Sequence, residues 1–301
     1  MFRLRIANVL LAKEFWNYLM IISTRIEETR LDTTLTAENA PEKEIGSGLA
    51  SESLHWYDRD GNPAYTVKGK NGADRPATLR DARKYNLVPS VSAIINIESK
   101  PQLERWKIQQ AYLACLTLPR IDGEDLESFM QRASKDANMQ VELATMRGNQ
   151  IHEDIDSYLD GGKIHESSMA YVVPVVDWLD RNFGRVKWSV RRSFAHPLGY
   201  GGKLDLVSEE EGIVIDFKTK DFGFDELTKK FAYDGHAMQV YAYAHGINMP
   251  DARKLNVFIS RTTPGAVTAH EWTKADDYQW DIFRHLLRVW QLRKKYDTRV
   301  K

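Results

Sequence analysis

A chain of 301 residues, 43% hydrophobic and 28% charged, can bury a substantial core as one large domain or two small ones. Its 42 basic and 42 acidic residues cancel, so bulk charge announces no nucleic-acid partner and any basic surface has to be local. The single cysteine, Cys115, excludes an internal disulfide framework and a cluster ligated by four cysteines of this chain, and no stretch approaches the roughly 18 apolar residues of a membrane span.

Along residues 1–31, Leu10, Leu11, Phe15, Trp16 and Leu19 recur at helical spacing and predict an amphipathic helix. The first thirteen residues are basic and free of acids, as in a mitochondrial transit peptide, but Glu14, Glu27 and Glu28 then break that pattern. Residues 32–52 carry Pro41, Gly46 and Gly48 among Thr, Ala, Glu and Ser and read as a linker, which divides the chain into 1–52 and a domain over 53–301. Two short β-prone runs around Asp60-Gly61-Asn62 predict a hairpin, followed by a basic stretch holding Lys68, Lys70, Arg75, Arg80, Arg83 and Lys84. Residues 89–95 start a helix with Ser90 as a good N-cap, and Ser-x-x-Gln at 99–102 with Pro101 has the form of a capping box for the next helix. Residues 124–160 are helical in pattern, with a break expected near Arg147-Gly148 and a stop at Gly161-Gly162. In that helix Ile151 and Ile155 make the buried stripe, and His152 lies at its edge, where a packed histidine is the ordinary reading. A helix over 166–183 should be bent or interrupted at Pro174, and residues 185–195 read as one strand.

The densest chemistry follows. Residues 199–207 (GYGGKLDLV) and 212–220 (GIVIDFKTK) are β-prone runs about a polar break at 208–211, the pattern of a β-hairpin. Alternation puts Asp216 and Lys218 on one face of the second strand and Ile215 and Phe217 on the other. A register centred in the turn sets Asp205 opposite Asp216, roughly 4.5–5.5 Å apart at Cβ. Carboxylates that close repel unless a cation lies between them, and oxygen ligation of this kind suits Mg²⁺, with Lys218 as a cationic donor alongside. Gly201-Gly202 predicts a bulge or a close backbone approach. Downstream, a helix is expected from about 225 to 246, on which Gln239 and Tyr243 share a face. Strands at 254–260 and 266–272 and a closing helix over 274–296 complete an α/β domain with a mixed central sheet flanked by helices. No P-loop is present, so no nucleotide cofactor is expected.

Gly-Gly-Lys-Leu-Asp at 201–205 followed by Val-Ile-Asp-Phe-Lys-Thr-Lys at 214–220 resembles the core of the PD-(D/E)xK nuclease superfamily, RecB-like branch. That branch also carries Gly-x-x-x-His on an upstream helix, matched by Gly148 and His152, and a downstream Gln-x-x-x-Tyr, matched by Gln239 and Tyr243. Residues 89–106 are similar to a segment of the mitochondrial genome maintenance exonucleases and their phage relatives. The resemblance implies a restriction-endonuclease-like core over about 142–260 and a metal-dependent deoxyribonuclease, with an exonuclease favoured. It implies one or two Mg²⁺ or Mn²⁺ ions held by His152, Asp205, Asp216 and the Phe217 carbonyl, with Lys218 orienting or deprotonating water. Gln239 and Tyr243 would hold substrate; Ser90, Arg191, Lys220 and Lys229 are candidate phosphate contacts, with Lys203, Arg192 and Lys230 beside them. Many relatives carry a glutamate on the strand preceding the hairpin, whereas this chain has Arg191-Arg192, which leaves one ligand position to water or Glu153.

The expected partner is DNA, with a recombinase or single-strand-binding protein as a candidate protein partner and no membrane. The expected location is the cytoplasm of a bacterium or of a phage-infected host, with the mitochondrial matrix second. An endonuclease of the same fold and a catalytically inactive DNA-binding scaffold are the alternatives, and substrate ends discriminate the first.

Overall fold

The computed structural model describes residues 55–300. The expected helix and linker over 1–52 lie outside the described residues. The central sheet has five strands. In spatial order they are β11 (Val267–Trp272), β10 (Arg253–Ser260), β9 (Ile213–Lys220), β8 (Leu206–Ser208) and β5 (Ser189–Val190). Only the β9–β10 pair is parallel, so the sheet is mixed. A parallel neighbour needs a crossover, and helix α6 (Asp234–Gly246) lies within the connection.

Strand β9, Ile-Val-Ile-Asp-Phe-Lys-Thr-Lys, is central because it has apolar residues for both faces. Ile213, Ile215 and Phe217 pack with Ile151 and Ile155 of α4 (Leu126–Leu159) and with Val172, Val175 and Leu179 of α5 (Glu166–Phe183). Val214 joins the other cluster, with Val240 and Ala244 of α6, Phe283 and Leu287 of α7 (Tyr278–Lys294), and Ile94 of α2 (Val91–Ile95). The sheet is thus flanked by helices on both faces, as the element order predicts.

Several boundaries differ from expectation. Helix α4 runs unbroken through Arg147-Gly148, because Gly148 serves a tertiary contact there rather than ending the helix. Pro174 sits inside a continuous α5. Helix α3 (Pro101–Thr117) has Lys100 at its N-cap with no side-chain cap, so the capping box from Ser99 does not form. The long helix expected from 225 is a short 3-10 turn, Phe224–Glu226, followed by irregular chain up to Asp234. Around Asp60-Gly61-Asn62 a tight turn closes on the Asp58 carboxylate and the expected hairpin forms as a short antiparallel bridge of Tyr57 with Pro63, while β1 (Trp56–Tyr57) pairs along its other edge with β4 (Val88–Pro89). The following run, β2 (Thr66–Lys68), pairs with β3 (Asp74–Pro76), ahead of the short helix α1 (Leu79–Tyr85).

Residues 185–195 are not one strand. β5 ends at Val190, Arg191 takes φ 55°, and β6 (Ser193–His196) continues in a separate two-stranded ribbon with β7 (Tyr200–Lys203). The facing chain makes the same departure between β7 and β8, at Leu204-Asp205. A single antiparallel hairpin therefore passes from ribbon to sheet, and Arg191 and Asp205 face each other at the switch, joined by an Arg191 N–H to Asp205 carbonyl bond of 3.2 Å.

Candidate functional site

The β8–β9 register is Leu206 opposite Ile215, Val207 opposite Val214 and Ser208 opposite Ile213, centred in the turn as predicted, and it ends one residue short of Asp205 and Asp216. At Asp205 the main-chain ladder stops, and the Asp205 Oδ2 accepts the Phe217 N–H at 2.8 Å. One carboxylate oxygen thereby replaces a missing ladder partner and fixes the side chain against β9. Phe217 itself lies between Asp216 and Lys218 in β9, so its main-chain carbonyl belongs to the same short segment.

His152 reaches this spot from the other side of the sheet. A Cβ on Gly148 would stand 2.6 Å from the Thr219 hydroxyl, so only glycine lets α4 come this close to β9. One turn later the His152 ring lies edge-on to Phe217 with centroids 6.2 Å apart, and its Nδ1 stands 3.7 Å from Asp205 Oδ2. Asp216 is 2% exposed, and its Oδ2 receives both Lys218 Nζ and Asn256 Nδ2 at 2.7 Å. Asn256 is wholly buried on β10 and in turn accepts Trp272 Nε1 at 2.7 Å. The side chains of His152, Asp205 and Lys218 retain 27%, 21% and 23% exposure, so they form the accessible lip of a site whose floor is Asp216.

The electrostatics divide the two carboxyls. Burial is the largest influence on Asp216; Lys218 opposes it and the charge of Asp205 adds to it, and the carboxyl is pushed up to about 6. Burial also works against Asp205, but His152, Lys218 and the Phe217 N–H outweigh it and hold that carboxyl below its ordinary value. Burial likewise disfavours a charged His152, and Asp205 more than offsets it, so the imidazole titrates above its usual value. Among the described residues no three His, Cys, Asp or Glu side chains stand at the separations of a closed metal cage. His152 and Asp205 stand 3.7 Å apart, and the Asp216 carboxyl feels the charges of both.

Gln239 and Tyr243 share one face of α6, and Gln239 Nε2 donates to the Tyr243 hydroxyl at 2.8 Å. The Tyr243 phenol is raised well above its ordinary value by burial and then by the charges of Asp216, Tyr57 and Asp205, which places it within electrostatic reach of the pair. Its ring passes so close to Gly202 that a Cβ there would meet it at 2.8 Å, the close approach that the glycine pair predicts.

The other expected substrate contacts are engaged within the protein. Ser90 is buried and caps α2, accepting the Ala93 N–H at 3.1 Å. Lys220 Nζ donates to the Phe231 carbonyl at 3.1 Å and lies over the rings of Phe231, Tyr233 and Phe258. Lys229 is exposed and paired with Glu226; Arg192 is paired with Glu209. Arg191 Nε holds Asp156 Oδ2 at 2.7 Å. Glu153 is exposed, and the acid electrostatically linked to His152 and Asp205 is Asp156, one turn beyond His152. Sequence reading passed over Asp156 and Asn256. The i,i+4 spacing from His152 is a signal for the first, and a lone amide in the apolar strand Leu-Asn-Val-Phe-Ile is one for the second.

No family model matches the chain, and no curated protein matches it. A solved structure described as "Crystal structure of SSO0001" aligns with a TM-score of 0.28 at 12% identity, covering 62% of this chain and 87% of that one. A likeness at that level carries no argument about fold or function.

Proposed function

We propose that the protein is a metal-dependent deoxyribonuclease with a PD-(D/E)xK-type core, acting as an exonuclease on DNA ends or single strands. The observation that carries this reading is the meeting of His152, Asp205, Asp216 and Lys218, from α4, the β7–β8 bend and β9, with Gln239 and Tyr243 adjoining.

His152, Asp205, Asp216 and the Phe217 carbonyl are the groups that would hold Mg²⁺ or Mn²⁺. Such an ion supplies an acidified water and offsets negative charge on a phosphate. Lys218 is anchored on the floor carboxylate at 2.7 Å while remaining part-exposed, a placement from which an ammonium can orient water or a phosphate oxygen. The Asn256 amide holds Asp216 Oδ2 in place, so the ionised carboxylate keeps one orientation. Gln239 and Tyr243, already bonded to each other, present a fixed pair of polar groups to a substrate.

The test is cleavage of an end-labelled DNA strand in Mg²⁺, Mn²⁺ or EDTA by wild type, Asp216→Asn and Lys218→Ala. Wild type should cut only with metal, and both variants should lose about a hundredfold or more in rate. Cleavage that persists in EDTA, or a Lys218→Ala protein as fast as wild type, would overturn the reading.

A further inference from the structure

We propose that Asp156 and Arg191 form a clamp that positions Asp205, a role that rests on the nuclease reading above. Arg191 reaches α4 with its side chain and the Asp205 bend with its main chain. Its Nε donates to Asp156 Oδ2 at 2.7 Å and its Nη2 to the Glu153 carbonyl at 3.3 Å. Its backbone N–H donates to the Asp205 carbonyl at 3.2 Å, and the Leu204 N–H returns a bond to the Arg192 carbonyl at 2.8 Å.

Three observations favour positioning over plain stability or phosphate contact. Arg191 adopts φ 55°, a left-handed conformation uncommon outside glycine, so the backbone is held in a costly shape where Asp205 must be presented. Asp156 is 7% exposed and its Oδ1 lacks any hydrogen-bond partner, a buried polar atom of the kind that folding alone does not favour. Asp156 also lies one turn from His152 on the same helix, so the clamp fixes α4 and the Asp205 bend at one point and thereby sets the 3.7 Å separation of His152 and Asp205. A guanidinium holds the two side-chain bonds in one rigid planar fork, a geometry that a lysine ammonium on its flexible stem does not fix.

The experiment combines cleavage kinetics with amide exchange at Phe217, whose N–H rests on Asp205 Oδ2. Asp156→Ala and Arg191→Ala should each lower kcat by about ten- to a hundredfold, with KM and the salt dependence unchanged, and the double variant should be no slower than either. Phe217 exchange should quicken about tenfold in all three, while the amides of Ile213 and Ile215 keep their protection. Asp156→Asn, which retains the shape, should recover most of both effects and serves if the alanine variant does not fold. An Arg191→Ala protein with raised KM, a shallower salt dependence and an unchanged Phe217 amide would instead make Arg191 a phosphate contact and overturn the clamp. Should wild type cut no DNA with either metal, the nuclease reading fails, and the Phe217 amide still decides whether the clamp exists.

Discussion

Lys218 and Asn256 share one oxygen of Asp216, and that sharing sets what each can do. Lys218 carries its charge to the exposed lip, whereas Asn256 is wholly buried and bonded on both sides, to Asp216 and to Trp272. Replacing Asn256 with Leu leaves the buried Trp272 N–H without a partner and removes one of the two donors on Asp216 Oδ2, with Lys218 remaining. Asn256→Leu should therefore destabilise the fold by about 2 kcal/mol and slow cleavage about tenfold, where Lys218→Ala slows cleavage far more. Urea unfolding and cleavage rates on the same preparations check this, and an Asn256→Leu protein of unchanged stability would contradict the role. Residues at this scale differ in how far the sequence discloses them. Asp205, Asp216 and Lys218 stand out because charges interrupt apolar strands. Asn256 does not, since one amide in a strand signals nothing until its neighbours are known. Lys220 shows the opposite limit: its place in the sequence does not disclose that its ammonium lies over three aromatic rings and donates to a carbonyl.

Elements meet at the site through small residues. Gly148 permits α4 to lie on Thr219, and His152 gains its place from that contact. Gly148→Val should push the helix from β9, cost about 1–3 kcal/mol and depress cleavage; adding Thr219→Ala should recover part of both. Thermal unfolding of the single and double variants reads the coupling, and additive effects would refute it. The same glycine shows why helix boundaries were only partly legible. Within a helical pattern it suggests a break, and only the packed structure reveals a close approach. The β8–β9 hairpin was legible to its register because alternation and the turn at 208–211 leave one pairing that keeps Ile213, Ile215 and Phe217 on the apolar side. The transfer from ribbon to sheet at Arg191 and Asp205 was not. A β-prone run carries no mark of where its partner changes, and the left-handed residue there is an arginine rather than a glycine.

The whole molecule should register the site as a pH- and cation-dependent stability. Asp216, with its carboxyl raised to about 6 from an ordinary value of 3.8, stays protonated in the native state over a window where the unfolded chain has ionised. The native state then binds more protons, so this group's contribution falls as pH rises through that interval. Metal-free wild type should lose stability between about pH 4 and 6 relative to Asp216→Asn, and Mg²⁺ or Mn²⁺ should restore it above pH 6. A wild-type profile parallel to that of Asp216→Asn, unaffected by either ion, would contradict the electrostatic account. Among the described residues no helix is long and apolar enough to cross a membrane. With zero formal net charge overall, the proposed binding of DNA requires local basic groups.

The central claim is tested most directly by offering the protein end-labelled linear DNA, single- and double-stranded, beside a closed single-stranded circle, each with Mg²⁺, Mn²⁺ or EDTA. The account predicts metal-dependent loss of linear strands with the circle intact, and the fate of the label gives polarity. Cutting of the circle would make the protein an endonuclease. Binding without cleavage in either metal would contradict the account and leave a DNA-binding scaffold.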